Sequence, residues 1–370
     1  MPQTTEFLHT SEVATLSVSL EPAFNAITSL RLLTWTCCEQ MSEQDLIGLD
    51  GWVTRVAAAM TPEQIALHRL VFIGLYYIVD PDRSWPSFPA YVNHLESLPG
   101  EALRDQLLDR YFTIACRKGS YTPETLPDPA ALLADPDAYV AFLQAAFPGA
   151  IVVPELELQA HALLNDPPRL RKTIVDYLRQ MWHDYLATEW TRVRPMLQEA
   201  VEAFRRVDLS AMDKTAAAEY VIGAPLEDKL RRYIEEHTRV VFIPSPHIGP
   251  HQGTFSDGTT LWLAFGARLP AGMHSSSSAL SRAELLVRLG ALADETRLRI
   301  LGLIAEEGEL CAQDIITRLS LSQSAASRHL TQLSASGYLI ERRQENAKCY
   351  RLNPARIDDT LAALRQFLKL

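Results

Sequence analysis

The sequence predicts a mainly helical protein with small β elements, arranged as two folded units of unequal size. Three observations carry this. At 370 residues the chain is too long for one ordinary domain. Apolar residues recur at helical spacing through most of it, and β-branched or aromatic runs are confined to short stretches. A segment of flexible composition, PAGMHSSSSA from Pro270 to Ala279, separates an acidic body from a tail of different charge. The expected division is a helical body with short strands over 1–269, a linker over 270–280, and a tail unit over 281–370.

Composition and charge narrow the function classes. With 47% hydrophobic and 22% charged residues, the chain reads as an ordinary soluble globular protein. Its longest apolar run, Leu70 to Val79, is half the ~20 residues of a membrane span and reads as a buried helix. The N-terminal MPQTTEFLHT lacks a basic segment followed by an apolar core, so no secretory signal is expected. Five cysteines in this length give no disulfide framework and suit a reducing cytoplasm. The net charge of −10 is uneven: Ser276 to Leu370 holds 13 Lys/Arg against 11 Asp/Glu, and the rest holds 22 against 34. The body would be repelled by a polyanion, and only the tail could sit against nucleic acid.

In chain order, Ala14 to Leu20 reads as a short strand, and Pro22 opens a helix through Ile27, Leu30, Leu33 and Cys37. Breakers cluster at Asp80 to Pro89 and Pro123 to Pro136, with helices such as Glu101 to Ala115 and Pro136 to Phe147 around them. The longest periodic stretch is Leu170 to Val207. Pro195 lies inside it and should kink the helix by removing a hydrogen bond to Thr191. Tyr177, Trp182, Tyr185 and Trp190 on this stretch form a candidate wall for an apolar or aromatic small-molecule effector. Plain core is the commoner use of such a stripe, and both readings stand. Arg239 to Ile243 and Thr259 to Ala267 read as strands joined by PSPHIGPHQGTFSDG, a hairpin or small sheet appended to the helices.

The tail is denser in signals. Ser281 and Glu284 form a capping box. The first helix carries Leu285, Leu286, Leu289 and Leu292; Asp294 caps a second, with Leu298, Ile300, Leu301, Leu303 and Ile304 expected inward. A third helix spans Cys311 to Leu319, and the tight Ser320-Leu321-Ser322 connection leads to a fourth, Gln323 to Ser336, stopped at Gly337. Ala326, Leu330 and Leu333 face inward at i, i+4 and i+7, leaving Gln323, Ser324, Ser327, Arg328 and His329 outward, beside the Ser322 cap. Short or forked donors and acceptors on the first turns suit base edges in a major groove. Strands Tyr338 to Arg343 and Lys348 to Leu352 follow as a hairpin whose Arg342, Arg343, Lys348 and Arg351 suit phosphates. The order of elements is that of a winged helix-turn-helix DNA-binding domain. A last helix from Pro354 has Ile357, Leu361, Leu364 and Leu368 on one face.

The landmarks ALADETRLRIL, LSQSAASRHL and SGYLIERR…YRL make this segment resemble the arsenic-repressor (ArsR/SmtB) family of bacterial winged-helix regulators. The resemblance covers about 90 residues by the motif criteria used for such domains. It implies a homodimer built on the first and last helices of the tail, binding a palindromic double-stranded operator, usually as a repressor. The N-terminal part resembles the helical domain of unusually large members, which names no ligand. In metal-sensing relatives the box reads Glu-Leu-Cys-x-Cys-Asp. Here Cys311 matches the first cysteine and Gln313 replaces the second, and an amide oxygen is a poor ligand for a thiophilic ion. The family's other site needs Asp and His on the last helix, where Asp358 and Asp359 occur but no histidine follows His329. Cys311 therefore reads as a small packed residue, with no metal and no cofactor.

Other clusters point nowhere firmer. Cys37 and Cys38 lie about 100° apart on a helix and chelate poorly together. His247 and His251 flank Ile-Gly-Pro, where they could meet a metal or simply face solvent from a loop. No phosphate loop, nucleophile elbow or His-Glu-x-x-His helix is present, so no enzyme is expected. The expected protein is a cytoplasmic dimeric repressor without membrane attachment, whose body senses a non-metal signal. The alternatives are a metal-responsive repressor, or an enzyme or protein-interaction body fused to a DNA-binding tail.

Overall fold

Pairing between the two ends of the body sets its architecture. In the computed structural model, which describes residues 15–37, 49–149, 152–270, 282–344 and 347–368, β1 (Thr15–Val18) runs parallel to β2 (Arg239–Ser245). Strand β2 runs parallel to β4 (Thr260–Gly266), and β3 (Gln252–Ser256) pairs antiparallel with β4, giving the order β1-β2-β4-β3. Parallel neighbours cannot be joined by a tight hairpin. The connection from β1 to β2 is accordingly the whole helical region. The two expected strands are thus sheet neighbours but not a hairpin, because the intervening loop contains β3.

Side-chain alternation buries both faces of this sheet. Val240, Phe242, Leu261, Leu263 and Phe265 join Phe204, Val221 and Ile234 in one core. Val241, Ile243, Trp262 and Ala264 join Phe24, Ile27 and the remaining helices in another. Burial on both sides explains why RVVFI and TLWLAF are unbroken apolar runs.

The helices of the body are α1 (Pro22–Cys37), α2 (Gly51–Ala59), α3 (Pro62–Arg69), α4 (Phe88–Ser97), α5 (Gly100–Arg117), α6 (Pro129–Ala134), α7 (Pro136–Ala146), α8 (Pro154–Leu164), α9 (Pro167–Met181), α10 (Ala187–Arg205), α11 (Lys214–Ile222) and α12 (Asp228–Glu235). Helix α1 lies on the sheet, where Phe24 stacks on Trp262 with ring centroids 4.8 Å apart. The apolar run from Leu70 is not one regular helix: after α3 it becomes a π-helical turn, Leu70–Gly74. There α8 packs so closely that a Cβ on Gly74 would lie 3.1 Å from the Leu156 carbonyl oxygen. The long periodic stretch is likewise divided, by a π-helical turn at Trp182–Leu186 between α9 and α10. Helix α10 then continues through Pro195 to Arg205.

The tail folds around its own core of Ile300, Leu301, Ile304, Ile315, Leu330, Leu333, Tyr338 and Tyr350, among others. Its elements are α13 (Arg282–Leu292), α14 (Glu295–Glu307), β5 (Glu309–Cys311), α15 (Ala312–Leu319), α16 (Gln323–Ala335), β6 (Leu339–Gln344), β7 (Ala347–Leu352) and α17 (Pro354–Phe367), with sheet order β5-β7-β6. Strand β5 was not legible in the sequence, and α15 begins one residue later than expected. Leu298, expected inward, is 53% exposed, because Arg297 beside it takes the inward position. The Ser281 cap, Cys38 and most of the expected linker lie outside the described residues. No described helix is long and apolar enough to cross a membrane.

Candidate nucleic-acid interface

Helix α16 is set by local chemistry at both ends. Ser320 ends α15 in the left-handed region (φ 53°), and the Leu321 amide donates to the Ile316 carbonyl at 3.0 Å. A left-handed residue reverses the chain in a few atoms, which makes the tight turn. Ser322 Oγ then accepts from the Ala325 amide at 3.2 Å, capping α16. Gly337, at φ 79°, closes the other end.

Ala326, Leu330 and Leu333 are buried, which turns Gln323, Ser324, Ser327 and Arg328 outward, all exposed, with the Ser322 cap exposed beside them. His329 differs from its neighbours: it is half-buried, its Nδ1 lying 3.7 Å from Asp294 Oδ1 at the cap of α14. The Arg297 amide, reinforced by the Arg297 and His329 side chains, holds the Asp294 carboxyl below its ordinary range.

Sequence reasoning missed the residue that fixes this helix in place. Buried Arg297 donates from Nε to the Ala291 carbonyl at 2.6 Å, and from its terminal nitrogens to the Gly290 carbonyl at 2.8 Å and Gln332 Oε1 at 2.7 Å. It thereby ties the end of α13, the start of α14 and the inner side of α16 together. An arginine inside an apolar stripe was the available signal. Tyr338 has a parallel role: its hydroxyl lies 3.1 Å from the Arg288 carbonyl and 3.0 Å from Thr360 Oγ1, joining α13 to α17.

The wing is the β6–β7 hairpin, with Arg342 opposite Cys349, Arg343 opposite Lys348 and Ile340 opposite Arg351. Arg342, Lys348 and Arg351 are exposed. Lys348 Nζ lies 2.7 Å from Glu341 Oε1, and Arg342 lies 3.9 Å from Glu309 Oε2. Exposed pairs of this kind are weak and exchangeable for phosphate. The side chain of Arg343 lies outside the described ones.

The structure departs from the expectation that the cysteines are unpaired and that Cys311 is merely packed. Cys311 on β5 sits directly opposite Cys349 on β7, and the two form a disulfide across 38 residues of sequence. Gln313, the residue in the second-cysteine position, is exposed. The second sulfur near Cys311 therefore comes from the wing strand, not from the motif. Among the described residues no cluster of three or more His, Cys, Asp or Glu is arranged for a metal ion.

In the body, the four aromatic residues of the long stripe have different surroundings. Tyr177 is buried and its hydroxyl is hydrogen-bonded to His68 Nδ1. The Tyr185 hydroxyl donates to Gln64 Oε1 at 3.0 Å. Trp182 and Trp190 line a recess of about 10 Å³ together with Glu189 and His247. That is room for about one water, so an effector would have to part the two rings.

His247 is not a solvent-facing loop residue. It is buried, stacked on Trp52 with centroids 4.4 Å apart, and both ring nitrogens are engaged: Nδ1 with Ser29 Oγ at 2.8 Å and Nε2 with Glu189 Oε1 at 2.9 Å. Burial raises the Glu189 pKa, but hydrogen bonds from His247 and Arg192 outweigh it and bring it to about 2. The Ser29 hydroxyl also donates back to the Asn25 carbonyl at 2.9 Å. This hydroxyl–imidazole–carboxylate chain pins α1, α10 and the β2–β3 loop together and exposes no nucleophile. His251 lies apart, edge-on to Trp35 at 4.8 Å.

Residues 294–341 match the family described as bacterial regulatory protein, arsR family, and residues 41–260 match a family of unknown function, DUF5937. The arsenical resistance operon repressor of Escherichia coli (strain K12) is 52% identical over 63 residues, 17% of this chain and 54% of that protein. The chain thus spans about half the length of that relative. The arsenical resistance operon repressor of Staphylococcus aureus is 36% identical over 85 residues, 23% of this chain and 81% of the relative. Among solved structures, reduced HlyU from Vibrio cholerae N16961 is similar at 33% identity, covering 23% of this chain and 88% of that one, with a TM-score of 0.19.

Proposed function

The chain belongs to the DUF5937 family of unknown function and ends in a domain of the bacterial arsR regulatory family, and from this premise we propose that it is a sequence-specific DNA-binding regulator of transcription. It acts in the cytoplasm, with the Cys311 and Cys349 thiols reduced there, as a dimeric repressor on a palindromic double-stranded operator, and the body over 1–269 receives a non-metal signal. The observation that carries the DNA reading is the outward face of α16. Gln323, Ser324, Ser327 and Arg328 are presented without competing intramolecular ion pairs among the described contacts. Such groups on the first turns of a recognition helix reach base edges. Arg342, Arg343, Lys348 and Arg351 take the flanking phosphates.

Dimerisation draws on α17 and the residue that follows it, where Leu361, Phe367 and Leu368 are each about half exposed. An apolar group of this kind on a terminal helix suits burial against a second copy. For the signal, Tyr177, Trp182, Tyr185 and Trp190 serve as an effector wall only in a state that opens the recess between the tryptophans.

Selection of full-length protein against a random duplex pool tests the proposal. The expected product is an inverted repeat with half-sites about one helical turn apart, roughly 10 base pairs. Enrichment of no motif, or equal affinity for all duplexes, would refute it.

A second reading is favoured by the Cys311–Cys349 juxtaposition. When reduced, two facing thiols at the start of α15 could hold a soft ion even though Gln313 cannot. Arsenite titration of the reduced protein on its operator separates the readings. The primary reading expects no release; release that vanishes in both Cys311→Ser and Cys349→Ser would establish the second.

A further inference from the structure

A second, larger cavity lies in the body, away from the long aromatic stripe. It encloses about 340 Å³ between α1, the Leu70–Gly74 π turn, α5, α7 and the start of α8. This is at the small end of the range for ligand sites, ~300–1,000 Å³. Its wall is a chain of edge-to-face rings. Tyr76 meets Tyr77 at 4.7 Å, Tyr77 meets Tyr111 at 5.9 Å, and Tyr111 meets Phe147 at 5.5 Å. Trp35 and Phe72 complete it, and Phe72 belongs to the π turn, a distortion that often marks a working site.

Two polar atoms of this wall lack a hydrogen-bond partner among the described residues, Arg31 Nε and Glu157 Oε2, and of the two side chains only the carboxyl is without a counter-charge. Glu157, on the first turn of α8, is 3% exposed, and its Oε2 has no hydrogen-bond partner among the described residues. Other buried carboxyls of the body are matched: Asp80 pairs with Arg31, Glu189 with His247 and Arg192, and Glu21 accepts from Ser84 at 2.8 Å. A buried acid left without a donor is costly unless a ligand completes it.

We propose that this cavity binds a small, mostly aromatic molecule carrying one basic nitrogen, with the ring chain as its wall and Glu157 as its counter-charge. The faces of Trp and Tyr rings attract a cation, and the carboxylate fixes where it sits. Burial pushes the Glu157 carboxyl up to about 8, so it is largely protonated at neutral pH before a ligand arrives. A protonated amine then displaces that proton to solvent as the ion pair forms. The groups facing Glu157 do not replace this role. Tyr111 on α5 and Tyr139 on α7 have hydroxyls pushed up by burial and stay neutral. His161, one turn along α8, lies 3.0 Å from the Leu132 carbonyl. Arg31 is matched by Asp80, and Lys118 is exposed at the rim, 5.2 Å from the Phe147 ring centroid.

This deepens the sensing role proposed for the body and rests on it only for the effect on DNA. Isothermal titration of the full-length chain with tryptamine, its alcohol analogue tryptophol and indole-3-acetate provides the test. Tryptamine should bind at least tenfold more tightly than either, release close to one proton at pH 7, and tighten by about tenfold from pH 6 to 7. Glu157→Gln should abolish the preference while leaving tryptophol affinity unchanged, which also shows that the cavity is intact. Tyr76→Ala, at a ring 40% exposed, should weaken all ligands together. Equal binding of amine and alcohol, no binding of any probe, or a preference that survives Glu157→Gln would overturn the inference. Operator affinity measured on the same samples separates the two claims. Intact DNA binding with failed titrations refutes the cavity alone, whereas loss of specific DNA binding refutes the regulator.

Discussion

In the helical body a set of groups with acid–base chemistry lies inside. His247, Glu189, His68, Arg31, Asp80 and Glu157 are all withdrawn from solvent, and most are spent on one another or on neighbouring hydroxyls. In the tail the polar groups proposed for recognition lie outside, on α16 and the wing, and the buried Arg297 ties the inner side of α16 to α13 and α14. The difference teaches where substitutions will register. Polar substitutions in the body should appear first as stability and only then as function. Those on the outer tail should change DNA binding with stability intact.

The largest effect is expected where the body's buried pairing is cut. Glu189→Ala leaves buried His247 without its acceptor and should cost about 3–5 kcal/mol in a denaturant titration. A loss below ~1 kcal/mol would mean that the pair is dispensable and the contrast is overstated. Glu157 gives the opposite sign. The unfolded carboxyl ionises near 4.5 and the folded one near about 8, so between those values the unfolded state has shed a proton that the native state keeps. Stability must then fall as pH rises across that window. Glu157→Gln should remove the slope, gaining roughly 2–4 kcal/mol over the wild type at pH 8 compared with pH 5. Parallel stability curves for the two proteins across that range would contradict the assignment.

The tail predictions sharpen the other side. Arg328→Ala should lose about 1–3 kcal/mol of discrimination between operator and unrelated duplex, with no change in melting temperature. Equal losses on both duplexes would make Arg328 a phosphate contact. Smallest of all, Lys348→Ala and Arg343→Ala should each lower the slope of log affinity against log salt by about one unit, uniformly across sequences. An unchanged slope removes the wing from the interface.

The tail was legible because its signals are local. The Asp294 and Ser322 caps, the Ala326, Leu330 and Leu333 spacing and the Gly337 stop each act within a turn or two, and each appears where expected. The body was legible only in outline. Periodicity announced its helices, but the π turns at Leu70–Gly74 and Trp182–Leu186 insert residues that a spacing pattern reads as regular. The aromatic stripe on α9 and α10 reads as a wall in the sequence, whereas the larger space is lined by rings from α1, the Leu70–Gly74 turn and the residues just after it, α5, and Phe147 beyond α7, which no single segment reveals.

By itself the sequence determined most of the helices, the Asp294 and Ser322 caps, the exposed face of α16, the basic hairpin and the charge contrast between body and tail. All of these depend on neighbours within a few residues or on simple counts. Only the tertiary structure decided the parallel pairing of β1 with β2 across the whole body, the meeting of Cys311 with Cys349, the burial of His247 between Ser29 and Glu189, and the stranded carboxyl of Glu157. Each of these joins chain segments far apart in sequence, or leaves a group alone because distant segments close around it. The free energy of such contacts comes from shared burial, which no one-dimensional pattern encodes.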